Sequence, residues 1–150
     1  MDEVELWRSV VDSWRRLQRA AEKNLLRADL SVAELRILKV LREQGSSPMN
    51  RFSTETMLSQ PTITGIVDKL EERGLVKRVR SKEDRREVLI AITPMGRDIL
   101  AKGMDMHRRF VERALSAMKA DEVALLVSLL EKLADASDSL IKGLEVAAAE

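Results

Sequence analysis

The chain contains no cysteine. That excludes a disulfide framework, a cysteine-held zinc and a thiol redox sensor. A lone histidine, His107, has no ligand pattern around it, so a metal site has no evident donors. Aromatic residues make up 3% of the 150, too few for the stacking platforms that hold single-stranded nucleic acid. Long apolar runs are also missing. The longest, 123–130, is broken by Ser128 and falls well short of the ~20 residues that cross a bilayer. The opening Met1-Asp2-Glu3-Val4-Glu5 is acidic where a secretory signal is basic. The expectation is therefore a cytoplasmic protein with no membrane segment. There is no nucleophile–base pair, glycine-rich phosphate loop or metal cluster, so neither an enzyme nor a cofactor is expected. A large excess of one charge is absent too. The net charge is +1, and any affinity for nucleic acid must come from a local patch.

What is present is a globular composition, 45% apolar and 34% charged, in a length that suits one domain with extensions. The rest of the chain is organised around Ser59 to Thr93. Ile63, Ile66, Val67 and Leu70 recur at helical spacing and form one apolar stripe. Ser59 is a good N-cap, Pro61 is tolerated in a first turn, and Gly74 suits the left-handed stop. The opposite face carries Pro61, Thr62, Gly65, Asp68, Lys69 and Glu72, small and uncharged in its first turns. A glycine inside a helix costs ~1 kcal/mol relative to alanine, and close approach to another surface such as a DNA groove is one reason to accept it. A small surface residue tolerated by chance is the plain alternative.

Strand-length segments follow, Leu75 to Arg80 and Val88 to Ile92, rich in β-branched residues. The polar turn between them, Ser81-Lys82-Glu83-Asp84-Arg85-Arg86, ends in two arginines, which extend far and are attracted to a narrow minor groove. Asp84, two residues before Arg86, is placed to hold that guanidinium in a bidentate pair. An ordinary charged hairpin has the same composition. The order of helix, glycine stop, strand, basic loop and strand is that of a winged helix.

These residues resemble a known family. Ser59 to Thr64, Val67 to Gly74, Leu75 to Arg78, Asp84 to Arg86, and Ile92-Thr93-Pro94-Met95-Gly96 are similar to the core motifs of the multiple antibiotic resistance regulator (MarR) family. The combination is specific, whereas the Asp-x-Arg alone is weak. The resemblance implies a winged helix-turn-helix and a double-stranded DNA partner. It also implies that an N-terminal helix packs on the C-terminal helices of both subunits of a homodimer. It further implies that a small phenolic or carboxylate effector binds between the helical dimer region and the winged helix. The chain departs from the pattern at Phe52-Ser53, where the family usually has Leu-Ala.

The expected fold is mainly α with a small β-hairpin wing (α+β): an N-terminal dimerisation helix in 1–30, the winged helix in 31–93 and C-terminal dimerisation helices in 94–150. Leu6, Val10, Trp14, Leu17, Ala21 and Leu25 form the stripe of a first helix over 4–28. Core or dimer packing accounts for Trp7 and Trp14; the functional alternative is that Trp14 and Arg15, with Arg36, line a pocket for an aromatic anion. Ser31-Val32-Ala33-Glu34 is a capping box that starts a second helix, Gly45 stops it, and Ser46-Ser47-Pro48 reads as a loop. Residues 49–58, rich in Thr and Ser, predict a short helix whose Phe52, Met57 and Leu58 share a small core with Ile63. Thr93-Pro94 starts a helix expected to reach about Met118, with Gly103 a weak point. Leu126, Leu130, Leu133, Ser137, Leu140 and Leu144 follow a heptad seam. These ends hold more apolar surface than the winged helix covers, which favours a two-fold dimer over a monomer with a three-helix cap.

The function expected is a sequence-specific, double-stranded DNA-binding transcriptional regulator, a repressor acting as a homodimer on a pseudo-palindromic operator. Pro61, Thr62, Thr64 and Gly65 would meet base edges or thymine methyls, with Asp68 accepting from cytosine or orienting a neighbour. Lys69, Lys77 and Arg78 would lie near phosphates, and Arg86, seconded by Arg85 and aimed by Asp84, would enter the minor groove. A winged helix that binds protein, or a non-specific architectural DNA binder, is the alternative.

Overall fold

The computed structural model describes residues 2–149. The chain divides into two compact units, Met1–Phe110 and Val111–Glu150. The first contains α1 (Glu3–Leu26), α2 (Val32–Gln44), β1 (Ser47–Pro48), α3 (Met49–Thr56), α4 (Gln60–Glu72), β2 (Val76–Arg80), β3 (Val88–Ile92) and most of α5 (Pro94–Leu115). The second holds the end of α5 and α6 (Ala120–Ala149). Among the described residues, no helix is long and apolar enough to cross a membrane.

Helix starts follow local chemistry. The Ser31 hydroxyl accepts the Glu34 N–H at 3.1 Å while the Glu34 carboxylate accepts the Ser31 N–H at 2.8 Å, the two halves of a capping box. Asp2 and Glu5 make the same exchange at the start of α1. Thr93 caps α5 by accepting the Gly96 N–H at 3.0 Å, and its own hydroxyl donates to the Gly74 carbonyl at 2.7 Å. That second bond ties the start of α5 to the end of α4.

The stripes of α2 and α4 close on each other and on the sheet. Leu35, Ile37, Leu38 and Leu41 from α2, Phe52 from α3, and Ile63, Val67 and Leu70 from α4 are buried with Leu75, Val76, Ile90 and Ile92. Val40 of α2, with Leu25, Leu30 and Leu100, completes this core. Gly103 is buried in α5, and a Cβ there would stand 2.7 Å from Leu30 Cδ1 and 3.2 Å from Leu35 Cδ1. It is a point of close packing and not the weak point in the helix that its sequence position suggests.

The sheet has three strands in the order β1-β3-β2, all antiparallel. β2 and β3 pair from Val76 opposite Ile92 to Arg80 opposite Val88. The expected loop at Ser46-Ser47-Pro48 is instead partly strand, with Ser47 opposite Ile90 and Pro48 opposite Leu89. Pro48 fits because β1 lies at the sheet edge, where a residue without an N–H leaves no ladder bond unmade. α5 ends at Leu115, three residues before the expected limit; Met118 N–H then turns back to the Leu115 carbonyl at 2.9 Å. α6 opens without a Ser or Thr cap, and Glu122 accepts the Lys119 N–H at 2.8 Å in its place.

Candidate nucleic-acid interface

α4 is held from three sides, and its first turns are left open. Gln60 Nε2 donates to Ser53 Oγ at 3.0 Å, joining the start of α4 to α3. Ser59 caps the helix, with Thr62 N–H 3.4 Å from its hydroxyl and the two hydroxyls 2.7 Å apart. Thr64 turns its hydroxyl back to the Gln60 carbonyl at 3.0 Å. Pro61, Thr62, Thr64 and Gly65 are all exposed, so the expected base-reading residues share one solvent face of α4. A Cβ on Gly65 would meet nothing within 4 Å. The protein's own packing therefore does not require glycine at this position.

Farther along α4 the charges are engaged. Arg78 of β2 bonds Asp68 at 2.7 Å and also reaches Glu71, which accepts the Arg78 main-chain N–H at 3.0 Å as well. The hydrogen bond with Asp68 raises the Arg78 guanidinium above its ordinary pKa; desolvation opposes it, and Glu71 adds to the rise. Asp68 and Arg78 thus staple the recognition helix to the sheet. Lys77, on the opposite face of the strand, lines an open cleft of about 660 Å³ with Val79, Leu89 and Ala91. Lys69 lies elsewhere, beside Arg73 at the C-terminal end of α4.

The wing tip is shaped by its main chain. Ser81 is 7% exposed, and its hydroxyl accepts the N–H groups of Glu83 and Asp84 at 3.3 Å each. Ser81 N–H donates to the Glu87 carbonyl at 3.0 Å, which closes the loop. Arg80 donates to the Arg85 carbonyl at 2.9 Å. Asp84 was expected to hold the guanidinium of Arg86. It accepts the Arg86 main-chain N–H instead, at 2.9 Å. An aspartate two residues upstream is well placed for this short turn, and the bond leaves the long side chain free. Arg85 and Arg86 are exposed, and among the described residues no ion pair holds either.

Met57 differs most from expectation. It is 92% exposed and left-handed, with φ 57°, and takes no part in the core formed by Phe52 and Ile63. Sequence reading also missed a clasp at the other end of α4. Arg73 bonds Glu34 at 3.1 Å and the Asp29 carbonyl, fastening α4 to the turn between α1 and α2. Beside it is an open cleft of about 830 Å³ lined by Leu26, Leu30, Ile66, Leu75, Met95 and Ile99, with Ser31, Lys69 and Arg73 among its polar groups. Trp14, Arg15 and Arg36 line neither cleft; all three are exposed, and Arg15 pairs with Asp12 at 3.4 Å.

Comparison with known proteins agrees with this geometry. The MarR family model matches residues 30–88, from the turn before α2 to the start of β3. The HTH-type transcriptional regulator YpoP of Bacillus subtilis is 33% identical over 109 residues, covering 73% of this chain and 77% of the relative. A MarR mutant from E. coli, crystallised with operator DNA, has the same fold with a TM-score of 0.77 at 24% identity, over 87% of this chain and 94% of that one. BpsR of Bordetella bronchiseptica, whose DNA binding is regulated by 6-hydroxynicotinic acid, superposes with a TM-score of 0.75 at 24% identity, over 89% and 94% of the two chains. The chain belongs to the MarR family, and it is a DNA-binding transcriptional regulator and not an enzyme.

Proposed function

We propose that this protein is a cytoplasmic repressor that binds a pseudo-palindromic operator as a homodimer and is released by a small phenolic or carboxylate compound. One observation carries the DNA-binding reading: the exposed, uncharged start of α4 lies in the same winged helix as a folded wing tip with two unpaired arginines. The first turns of α4 enter the major groove. Thr62 and Thr64, whose hydroxyls are committed within the helix, offer their methyls to thymine, and Pro61 and Gly65 permit close approach. Arg86, with Arg85, enters the adjacent minor groove. Lys77 and Lys69 are the candidates for phosphate contacts. Arg78 and Asp68 serve as a positioning pair, because each already occupies the other.

The dimer reading rests on unpartnered apolar faces. Trp7 and Trp14 of α1 are 52% and 53% exposed, and Leu126, Leu130 and Leu133 of α6 are 40%, 44% and 37% exposed. A second copy would cover such faces and set two recognition helices about one turn of DNA apart, ~34 Å, giving an operator of roughly 16–20 base pairs. The effector reading rests on the cleft beside Arg73. Its apolar lining carries two cations, Lys69 of α4 and Arg73 at the helix C-cap, beside two carboxylates, Asp29 and Glu34. A carboxylate bound there competes with Glu34 for Arg73 and so acts on α4 directly.

Selection from a pool of random duplexes at physiological salt tests the proposal. An enriched inverted repeat with half-sites one turn apart is expected. Uniform recovery that falls steeply with salt would mark a non-specific binder, and no recovery would favour a protein partner. Arg86→Ala should weaken binding to the selected duplex by about 1–3 kcal/mol, read by fluorescence anisotropy. Unchanged affinity would remove the wing from the account.

A further inference from the structure

Four described residues have a positive φ: Asp29, Gly45, Met57 and Gly74. Gly45 and Gly74 follow helices α2 and α4, where a residue without a Cβ adopts that conformation freely. Aspartate tolerates it through its short polar side chain. Met57 has neither advantage. It occupies the C-cap of α3, donating its N–H to the Ser53 carbonyl at 3.0 Å, a position that glycine would fill without strain. The usual compensation for such strain is packing, and here there is none, because the side chain is 92% exposed.

The location accounts for the cost. Met57 lies two residues before Ser59, the N-cap of α4, so its Cα is within ~7 Å of the end that the proposed function sends into the major groove. A thioether chain is long, flexible and polarisable, suited to an apolar contact of variable shape. The apolar group that the major groove presents is the ring methyl of thymine. We propose that Met57 is a specificity residue that packs on a thymine methyl at the edge of each half-site, and that DNA supplies the contact the free protein lacks. This inference rests on the DNA-binding reading and adds to it a residue outside the α4 face and the wing.

The test uses the full-length protein, the selected duplex and a scrambled duplex of equal length. Met57→Gly should raise the thermal midpoint by about 2–4 °C, since the strain is gone. It should weaken binding to the selected duplex by roughly five- to tenfold, a modest share of what a good base contact gives. Binding to the scrambled duplex should not change, because that affinity is electrostatic. Met57→Leu should keep the native preference. Replacing thymines one at a time by deoxyuridine should then reveal one position per half-site whose cost to the native protein disappears in Met57→Gly, the coupling expected of direct contact. Full affinity in Met57→Gly, equal loss on both duplexes, or additivity at every thymine would each overturn the proposal. Failure of the native protein to prefer any duplex would overturn the regulator reading, and this inference with it.

Discussion

α2 and α6 show opposite uses of the same amphipathic pattern. α2 has 13 residues and buries five of them, Leu35, Ile37, Leu38, Val40 and Leu41, against its own chain. α6 has 30 residues and carries Leu125, Leu126, Leu129, Leu130, Leu133, Leu140, Ile141 and Leu144, yet none of its described residues is buried. Only Val123 and Ser137 are even half-covered. A stripe that finds its partner within the chain makes a domain. Apolar surface of the extent carried by α6 is rarely left in water, which is what supports the proposed pairing of two copies. The winged-helix core closes on itself with Leu25 of α1 and Leu100 of α5, whereas under the proposed function the stripe of α6 is covered by a second copy.

The largest expected effect is at α6. Leu130→Glu combined with Leu133→Glu should weaken self-association by about 3–6 kcal/mol, since the paired faces would carry carboxylates in place of four partly exposed leucines, two per copy. Sedimentation should then show monomers at micromolar protein, while circular dichroism keeps the helical signal of the winged helix. If the double variant sediments like the native protein, the proposed role of α6 is wrong. Phe52→Ala addresses the other side of the comparison. Phe52 is fully buried in the winged-helix core, and its truncation should cost about 3–5 kcal/mol in denaturant unfolding. If two copies pair as proposed, the unfolding midpoint should rise with protein concentration, and the Phe52 variant should retain that dependence.

Two glycines sharpen the contrast on a smaller scale. Gly103→Ala places a methyl against Leu30 and should destabilise by about 1–3 kcal/mol. A Cβ on Gly143 of α6 would meet nothing within 4 Å, so Gly143→Ala should stabilise by up to about 1 kcal/mol through helix propensity. Thermal melts of the two variants should move in opposite directions; a shared direction would contradict the difference in packing. The smallest effect is on the surface. The hydrogen bond from Arg108, with Arg109 adding to it, lowers the Asp105 carboxyl below its ordinary pKa. Its stabilising contribution is present above the ordinary carboxylate range and is lost as pH falls through the depressed value. Asp105→Asn should therefore lie slightly below the native protein in stability at neutral pH, and the difference should vanish in strong acid.

Legibility in the sequence followed the range of each interaction. The caps at Ser31, Ser59 and Thr93 and the stop at Gly74 involve neighbours within a few residues, and the sequence carries them openly. The apolar stripe of α4 was equally plain. Pairings across the fold were not. Glu34 was legible as half of a capping box, but its partner Arg73 is 39 residues away. β1 is two residues whose only strand character is their pairing with β3. Arg78 reads as a cation until its register sets it against Asp68 and Glu71. Met57 was misread because an apolar residue between two core positions looks like core; its left-handed backbone carries the side chain outward. Asp84 faces two possible donors on Arg86, the main-chain N–H and the guanidinium, and the main-chain N–H takes its carboxylate. Trp14, Arg15 and Arg36 are grouped by chemical type alone; in the fold all three are exposed, and the cleft beside Arg73 is lined by other residues.

The most direct test of the account counts protein chains on DNA. Native mass spectrometry of the protein with a duplex carrying the selected inverted repeat should show two chains per duplex, and free protein as a dimer. The Leu130→Glu and Leu133→Glu double variant should lose the complex at the same concentrations. One chain bound per duplex, or a free monomer that still binds the full repeat tightly, would contradict the claim that the exposed helical faces exist to pair two recognition helices.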